Sequence, residues 1–206
     1  RPPNEAVQRR TSYAGGSTNH AAGRITQPAL LSKIGLSSRL CQPDSGFFMF
    51  LIRHGQSQFN AVFSVTRVDP GIVDPVLTDE GVRQAEAAAN TFIQLRERGE
   101  GEIRRLISSP YTRALQTATI IADRLKIEVS IEPLVRERSA FHCDIGASPA
   151  ELARRFPRYR FDHLDDPWWH DHVSTGLAET EEALAVRGAT FRDVMRGQTD
   201  YPHIAV

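Results

Sequence analysis

Phe47-Phe48-Met49-Phe50-Leu51-Ile52-Arg53-His54-Gly55-Gln56-Ser57-Gln58-Phe59-Asn60 decides how this chain is read, because a six-residue apolar run ends abruptly in an arginine, a histidine and a glycine. The run reads as a buried strand, and reactive groups in open α/β sheets gather where strands end. Arg53 offers a permanent planar cation that grips phosphate oxygens through paired hydrogen bonds. Gly55 lets backbone approach a ligand closely, and a neutral His54 imidazole can attack phosphorus. The pattern points to phosphate chemistry, against the plainer reading of His54 as a histidine capping a strand end.

Working outward, Val62 to Pro75 is rich in Val, Asp, Pro and Gly and reads as a loop at the pocket mouth, too irregular for a helix. Thr78 caps a helix expected over Asp79–Arg98, with a stripe of Val82, Ala85, Ala89, Phe92, Ile93 and Leu95; Gly99 and Gly101 end it. Ile103–Ser108 reads as a strand, Tyr111–Leu125 as a helix and Ile127–Ile131 as a strand. This alternation predicts an α/β layered fold with a largely parallel sheet. His54 follows the first strand and Arg113 the second, so both face one crevice. Further on, Ser148-Pro149-Ala150-Glu151 forms a capping box for a short helix through Phe156. Residues 158–176 are loop-rich, Glu179–Arg196 reads as a long helix ended by Gly197, and 202–206 as a strand just beginning.

Three motifs carry a resemblance: Arg53-His54-Gly55; Leu77-Thr78-Asp79-Glu80-Gly81 with Gln84-Ala85; and Ser108-Ser109-Pro110-Tyr111-Thr112-Arg113-Ala114-Leu115-Gln116-Thr117-Ala118. In that order they resemble the signatures of the histidine phosphatase superfamily, which includes phosphatases and cofactor-dependent phosphoglycerate mutases, from about Phe47 onward. The resemblance implies a three-layer α/β sandwich with a mostly parallel central sheet. It implies phosphomonoester hydrolysis through a phosphohistidine, with His54 as nucleophile and Arg53 and Arg113 as phosphate clamps. Ser57 and Asn60 match phosphate-binding positions, although either can instead satisfy turn backbone. Glu137, in Leu134-Val135-Arg136-Glu137-Arg138, matches the general acid, with a plain ion pair as the alternative. Arg136 and Arg138 would oppose its protonation if they pointed at it.

The resemblance also implies a second pocket histidine in an S-H-G-like motif after the strand corresponding to Ile204-Ala205-Val206. Val206 is the last residue, so the expectation is a piece lacking that contact and the final strand and helix, with severely impaired catalysis. His203 precedes the strand and is no substitute. The mutase segments F-x-G-W-x-D and E-R-H-Y-G match poorly with 65–71 and 137–141, which favours a phosphatase over a mutase or a non-catalytic binding protein. Arg67 and Arg138 are candidates to read a second anionic group.

No cofactor and no metal are expected. His142-Cys143-Asp144 and Trp168-Trp169-His170-Asp171-His172 fit no compact zinc spacing and read as a loop cap, with the tryptophans packed or covering substrate. A formal net charge of zero gives no sign of a nucleic-acid surface, and no apolar run reaches membrane-spanning length. The expected partner is a small phosphorylated substrate, with a phosphoprotein as the alternative; oligomeric state is open. The 206 residues, 40% hydrophobic and 24% charged, suit one catalytic domain over 47–206. Cys41 and Cys143 read as reduced thiols, hence a cytoplasmic location. Residues 1–46 read as a disordered extension, or as an organellar transit peptide since 6–43 contain no acidic residue.

Overall fold

The computed structural model describes residues 49–198 and 203–206. The extension expected over 1–46, with Cys41, and the first two residues of the apolar run lie outside them. Three parallel strands, β1 (Arg105–Ser108), β2 (Glu128–Ile131) and β3 (Ile204–Ala205), form a sheet in the order β2-β1-β3. The segment before His54 flanks β3 through a parallel bridge between Phe50 and Ala205. The Val206 N–H donates to the Phe50 carbonyl and the Ile52 N–H to the Val206 carbonyl. The expected first strand is thus extended backbone joined by one bridge, not a full ladder.

Six α-helices occur among the described residues: α1 (Gln58–Thr66), α2 (Asp79–Glu97), α3 (Thr112–Leu125), α4 (Pro149–Arg155), α5 (His172–Thr175) and α6 (Glu181–Arg196). Successive strand residues face opposite ways, and here each face has its own helices. Leu106 and Ala205 pack with Ala89 and Phe92 of α2 and Ile121 and Ala122 of α3. Ile107 and Ile204 pack with Phe191 and Met195 of α6. The result is the layered α/β fold that the alternation predicted, with the three layers that the resemblance implied. A third cluster joins Tyr111, Leu115, Leu152, Phe161 and Trp168 beyond the sheet.

Two local readings need correction. Val62–Thr66, taken as loop, completes α1. Ser57 accepts the Asn60 N–H while Asn60 accepts the Ser57 N–H, and Phe59 stacks on Phe63 one turn later. That reciprocal cap uses Asn where the usual box has Glu or Gln, so the start signal is easily missed. At α4 only half the expected box forms: Ser148 accepts the Glu151 N–H, but Glu151 pairs with Arg154 and Arg155 instead of reaching back. By contrast α2 ends as anticipated. The N–H groups of Gly99 (φ 68°) and Glu100 bond the Arg96 and Leu95 carbonyls, a Schellman arrangement.

Gly55 and Gly81 hold the loop after His54 against the start of α2. A Cβ on Gly55 would lie 2.2 Å from the Gly81 carbonyl oxygen, and one on Gly81 would lie 2.1 Å from that of Gln56. The close approach Gly55 permits is therefore to neighbouring backbone. Gly81→Ala is expected to destabilise by about 1–3 kcal/mol through overpacking. Gly188→Ala, in α6 with nothing within 4 Å, is expected to stabilise by roughly 0.5–1 kcal/mol. Thermal or urea melts of the two variants check both signs.

Candidate active site

His54 is fixed from both ring nitrogens. Nδ1 lies 2.7 Å from the Gly55 carbonyl oxygen and Nε2 lies 3.2 Å from Nε of Arg113. A carbonyl only accepts and a guanidinium only donates, so the proton sits on Nδ1 and the lone pair on Nε2. Burial first, then the charges of Arg113 and Arg53, lower the imidazole from 6.5 to about 4, against an opposing hydrogen bond to Gly55. The ring is neutral at pH 7, which is the nucleophilic form.

Arg113 is only 2% exposed, and each of its three side-chain nitrogens has an acceptor. Besides His54 it donates to the Cys143 carbonyl at 2.6 Å and to Oδ1 of Asp144 at 3.1 Å, and its guanidinium lies 4.3 Å over the Tyr111 ring. Asp144, equally buried, accepts the Ala140 and Phe141 N–H groups with its other oxygen. Its role as counter-ion went unread in the sequence, where His142-Cys143-Asp144 was weighed for metal. Burial drives the Cys143 thiol up to about 12, so it is not a thiolate at neutral pH. Asp74 was missed too. Tyr111 lends α3 no capping side chain, and Asp74 takes its place by accepting the Thr112 N–H at 2.9 Å and the Thr112 hydroxyl at 2.5 Å. Burial raises the Asp74 carboxyl.

The three motifs interlock. The Thr117 hydroxyl accepts the Gly55 N–H and donates to the Arg113 carbonyl. Gln84 accepts the Gln56 N–H, the Thr78 N–H donates to the Gln56 carbonyl, and Gln116 accepts the Leu77 N–H. Much of each signature is therefore scaffold that sets His54 and Arg113 against each other.

The other candidates separate into two groups. Arg53, exposed, and His54 line a cavity of about 580 Å³ together with Arg113, Arg136 and Glu137. They also border one of about 440 Å³ with Asn60, Arg67 and Gln84. Glu137 is exposed, and one of its oxygens accepts the Arg138 N–H. Neither flanking guanidinium turns to it: Arg136 donates to the Glu179 carboxylate at 2.9 Å and Arg138 to the Glu179 carbonyl at 2.7 Å. Ser57 is 1% exposed and committed to the α1 cap, as is the Asn60 carbonyl oxygen, so the backbone-satisfying alternative describes them in this structure. His203 lies at the far end of β1, with Nδ1 on the Glu102 carbonyl. Trp168 is buried against Tyr111, and its N–H donates to the Ala147 carbonyl.

The lowered His54 pKa has a thermodynamic consequence. Below pH 6.5 the unfolded chain binds a proton there that the folded chain refuses until about pH 4, so stability is present above 6.5 and lost as pH falls through that window. At about 1.36 kcal/mol per pH unit, wild type should lose about 2–3 kcal/mol between pH 7 and 4.5 that His54→Gln keeps. Denaturant melts at both pH values measure the difference; Asp74, common to both chains, cancels.

Residues 49–206 match the family described as histidine phosphatase superfamily (branch 1). Among curated proteins, the "Probable phosphoglycerate mutase GpmB" of Proteus mirabilis is 38% identical over 89 residues, covering 43% of this chain and 37% of that protein. The protein of the same name from Yersinia pestis is 37% identical with the same coverage. The match thus spans little more than a third of the length of those relatives. Among solved structures, "the ecdysone phosphate phosphatase, EPPase, from Bombix mori in complex with tungstate" superposes with a TM-score of 0.50 at 19% identity, covering 75% of this chain and 70% of that one. The alpha-ribazole phosphatase from Shigella flexneri gives 0.48 at 20% identity, with 75% and 70% covered.

Proposed function

The chain belongs to the histidine phosphatase superfamily (branch 1), and on that premise we propose that it hydrolyses a small phosphomonoester through a phosphohistidine on Nε2 of His54. The observation that carries the reading is the 3.2 Å contact between His54 Nε2 and Arg113 Nε, two residues 59 positions apart. In the first step the Nε2 lone pair attacks phosphorus in line, a P–N bond forms and the P–O bond to the leaving alcohol breaks. Glu137, protonated, gives its proton to the departing oxygen. Water then attacks phosphorus, Glu137 takes its proton, and the P–N bond returns its electrons to Nε2. Arg53 and Arg113 neutralise the equatorial oxygens, with the Arg113 Nε–H passing from the imidazole to a phosphoryl oxygen as Nε2 engages phosphorus.

Hydrolysis is favoured over transfer to a second position because one of the two arginines considered for a second anionic group, Arg138, has its side chain on the Glu179 carbonyl. The mutase names among the relatives keep transfer as the second reading.

Labelling with a radiolabelled phosphate donor, quenched in detergent at alkaline pH, tests the proposal with one transfer per molecule. Wild type is expected to yield an acid-labile, base-stable label that His54→Ala abolishes. Glu137→Gln should form it about 10²–10⁴-fold more slowly from an alkyl phosphate. An unlabelled wild type, or label retained in His54→Ala, rejects the proposal.

A further inference from the structure

The segment carrying Glu137 is held by a buried ionic cluster that the phosphoryl chemistry does not itself use. Glu179 is 2% exposed and Arg187, on α6, is 8% exposed. Arg187 forks onto both Glu179 oxygens at 3.0 and 2.8 Å and spends its third nitrogen on the Leu134 and Arg136 carbonyls. Arg136 donates to the same Glu179 carboxylate, and the Glu179 backbone takes the Arg138 side chain and pairs with the Ser139 carbonyl. Residues 134–139 are thus tied on both sides of Glu137, while Glu137 itself stays outside the cluster.

The charge balance gives this arrangement a consequence. Two largely buried guanidiniums share one carboxylate, and the Arg136 Nε finds no acceptor among the described residues. A buried guanidinium left without its anion costs several kcal/mol and turns to the nearest carboxylate. Glu137, the sequence neighbour of Arg136, lines the same cavity and offers it a carboxylate to turn to.

We propose that Glu179 is a positioning residue whose carboxylate draws Arg136 away from Glu137, while its backbone carbonyl holds Arg138, leaving the Glu137 carboxyl free to take up and release a proton. The proposal rests on Glu137 as the general acid. The groups facing Glu137 are Arg136 and Arg138 on its own segment and His54, Arg53 and the Asp144-paired Arg113 across the cavity. Of these only Arg136 loses its partner when the Glu179 carboxylate is removed, because Arg138 is held by the Glu179 backbone carbonyl.

The test follows the Glu137 carboxyl carbon by NMR against pH in chain labelled with ¹³C-glutamate, the resonance being assigned through Glu137→Gln. In Glu179→Gln the Glu137 titration is expected to move down by about one pH unit or more, as for a carboxylate gaining a guanidinium neighbour. Adding Arg136→Met to that variant should restore most of the wild-type midpoint. Glu179→Asp keeps the charge but is too short to span both guanidiniums; it should move the midpoint part of the way, and it serves if the glutamine variant does not fold. A folded Glu179 variant whose Glu137 midpoint stays in place, or moves up, overturns the proposal; simple loosening of the segment gives no downward shift. The readout needs no turnover. Failure of the acid assignment shows separately, as Glu137→Gln labelling at the wild-type rate.

Discussion

The Arg113 guanidinium brings a permanent charge and five N–H donors into a site only 2% exposed, and most of the surrounding structure answers that demand. Asp144 supplies the opposite charge, the Cys143 carbonyl accepts a second donor, the Tyr111 ring covers a face, and His54 accepts the third contact. The 3₁₀ turn at His142–Asp144 takes its shape from the same carboxylate, whose free oxygen gathers two backbone N–H groups. Because Asp144 already balances the charge, Arg113 offers geometry as much as attraction: its position is set before any ligand arrives. Pre-set donors of that kind stabilise developing charge without reorganisation.

The Glu137 side of the cavity follows a different logic. Arg113 is held by one dedicated carboxylate, whereas Glu179 serves two arginines and anchors a third side chain through its backbone. Both carboxylates lie outside the reacting set, and both decide which way a cation near that set points. His54 needs no such partner. Burial alone goes furthest in keeping it neutral, and the Gly55 carbonyl fixes which nitrogen bears the proton.

Much of this was legible in the sequence, for identifiable reasons. Helix α2 announced itself through the Thr78 cap, its apolar stripe and Gly99. The apolar run before His54 and the β1-α3-β2 alternation after it were enough to bring His54 and Arg113 to one crevice. The end of α1 was hidden because Val62, Val65 and Thr66 are weak helix formers and the cap uses Asn60. Asp144, Asp74 and Glu179 were illegible for a common reason: each acts on a residue 30 or more positions away, with no local spacing to mark it. Thr117 and Gln116 were read as signature letters, and only the fold reveals them as the bonds that join one motif to another.

In the proposed reaction His54, Arg53 and Arg113 converge on one tetrahedral anion, and a crystal structure of the chain with tungstate measures this directly. The expected result is the metal within bonding distance of His54 Nε2, its oxygens met by Arg53 and by an Arg113 Nε that has left the imidazole, with the Asp144 pair intact. Tungstate bound elsewhere, with Arg113 Nε still on His54, would contradict it.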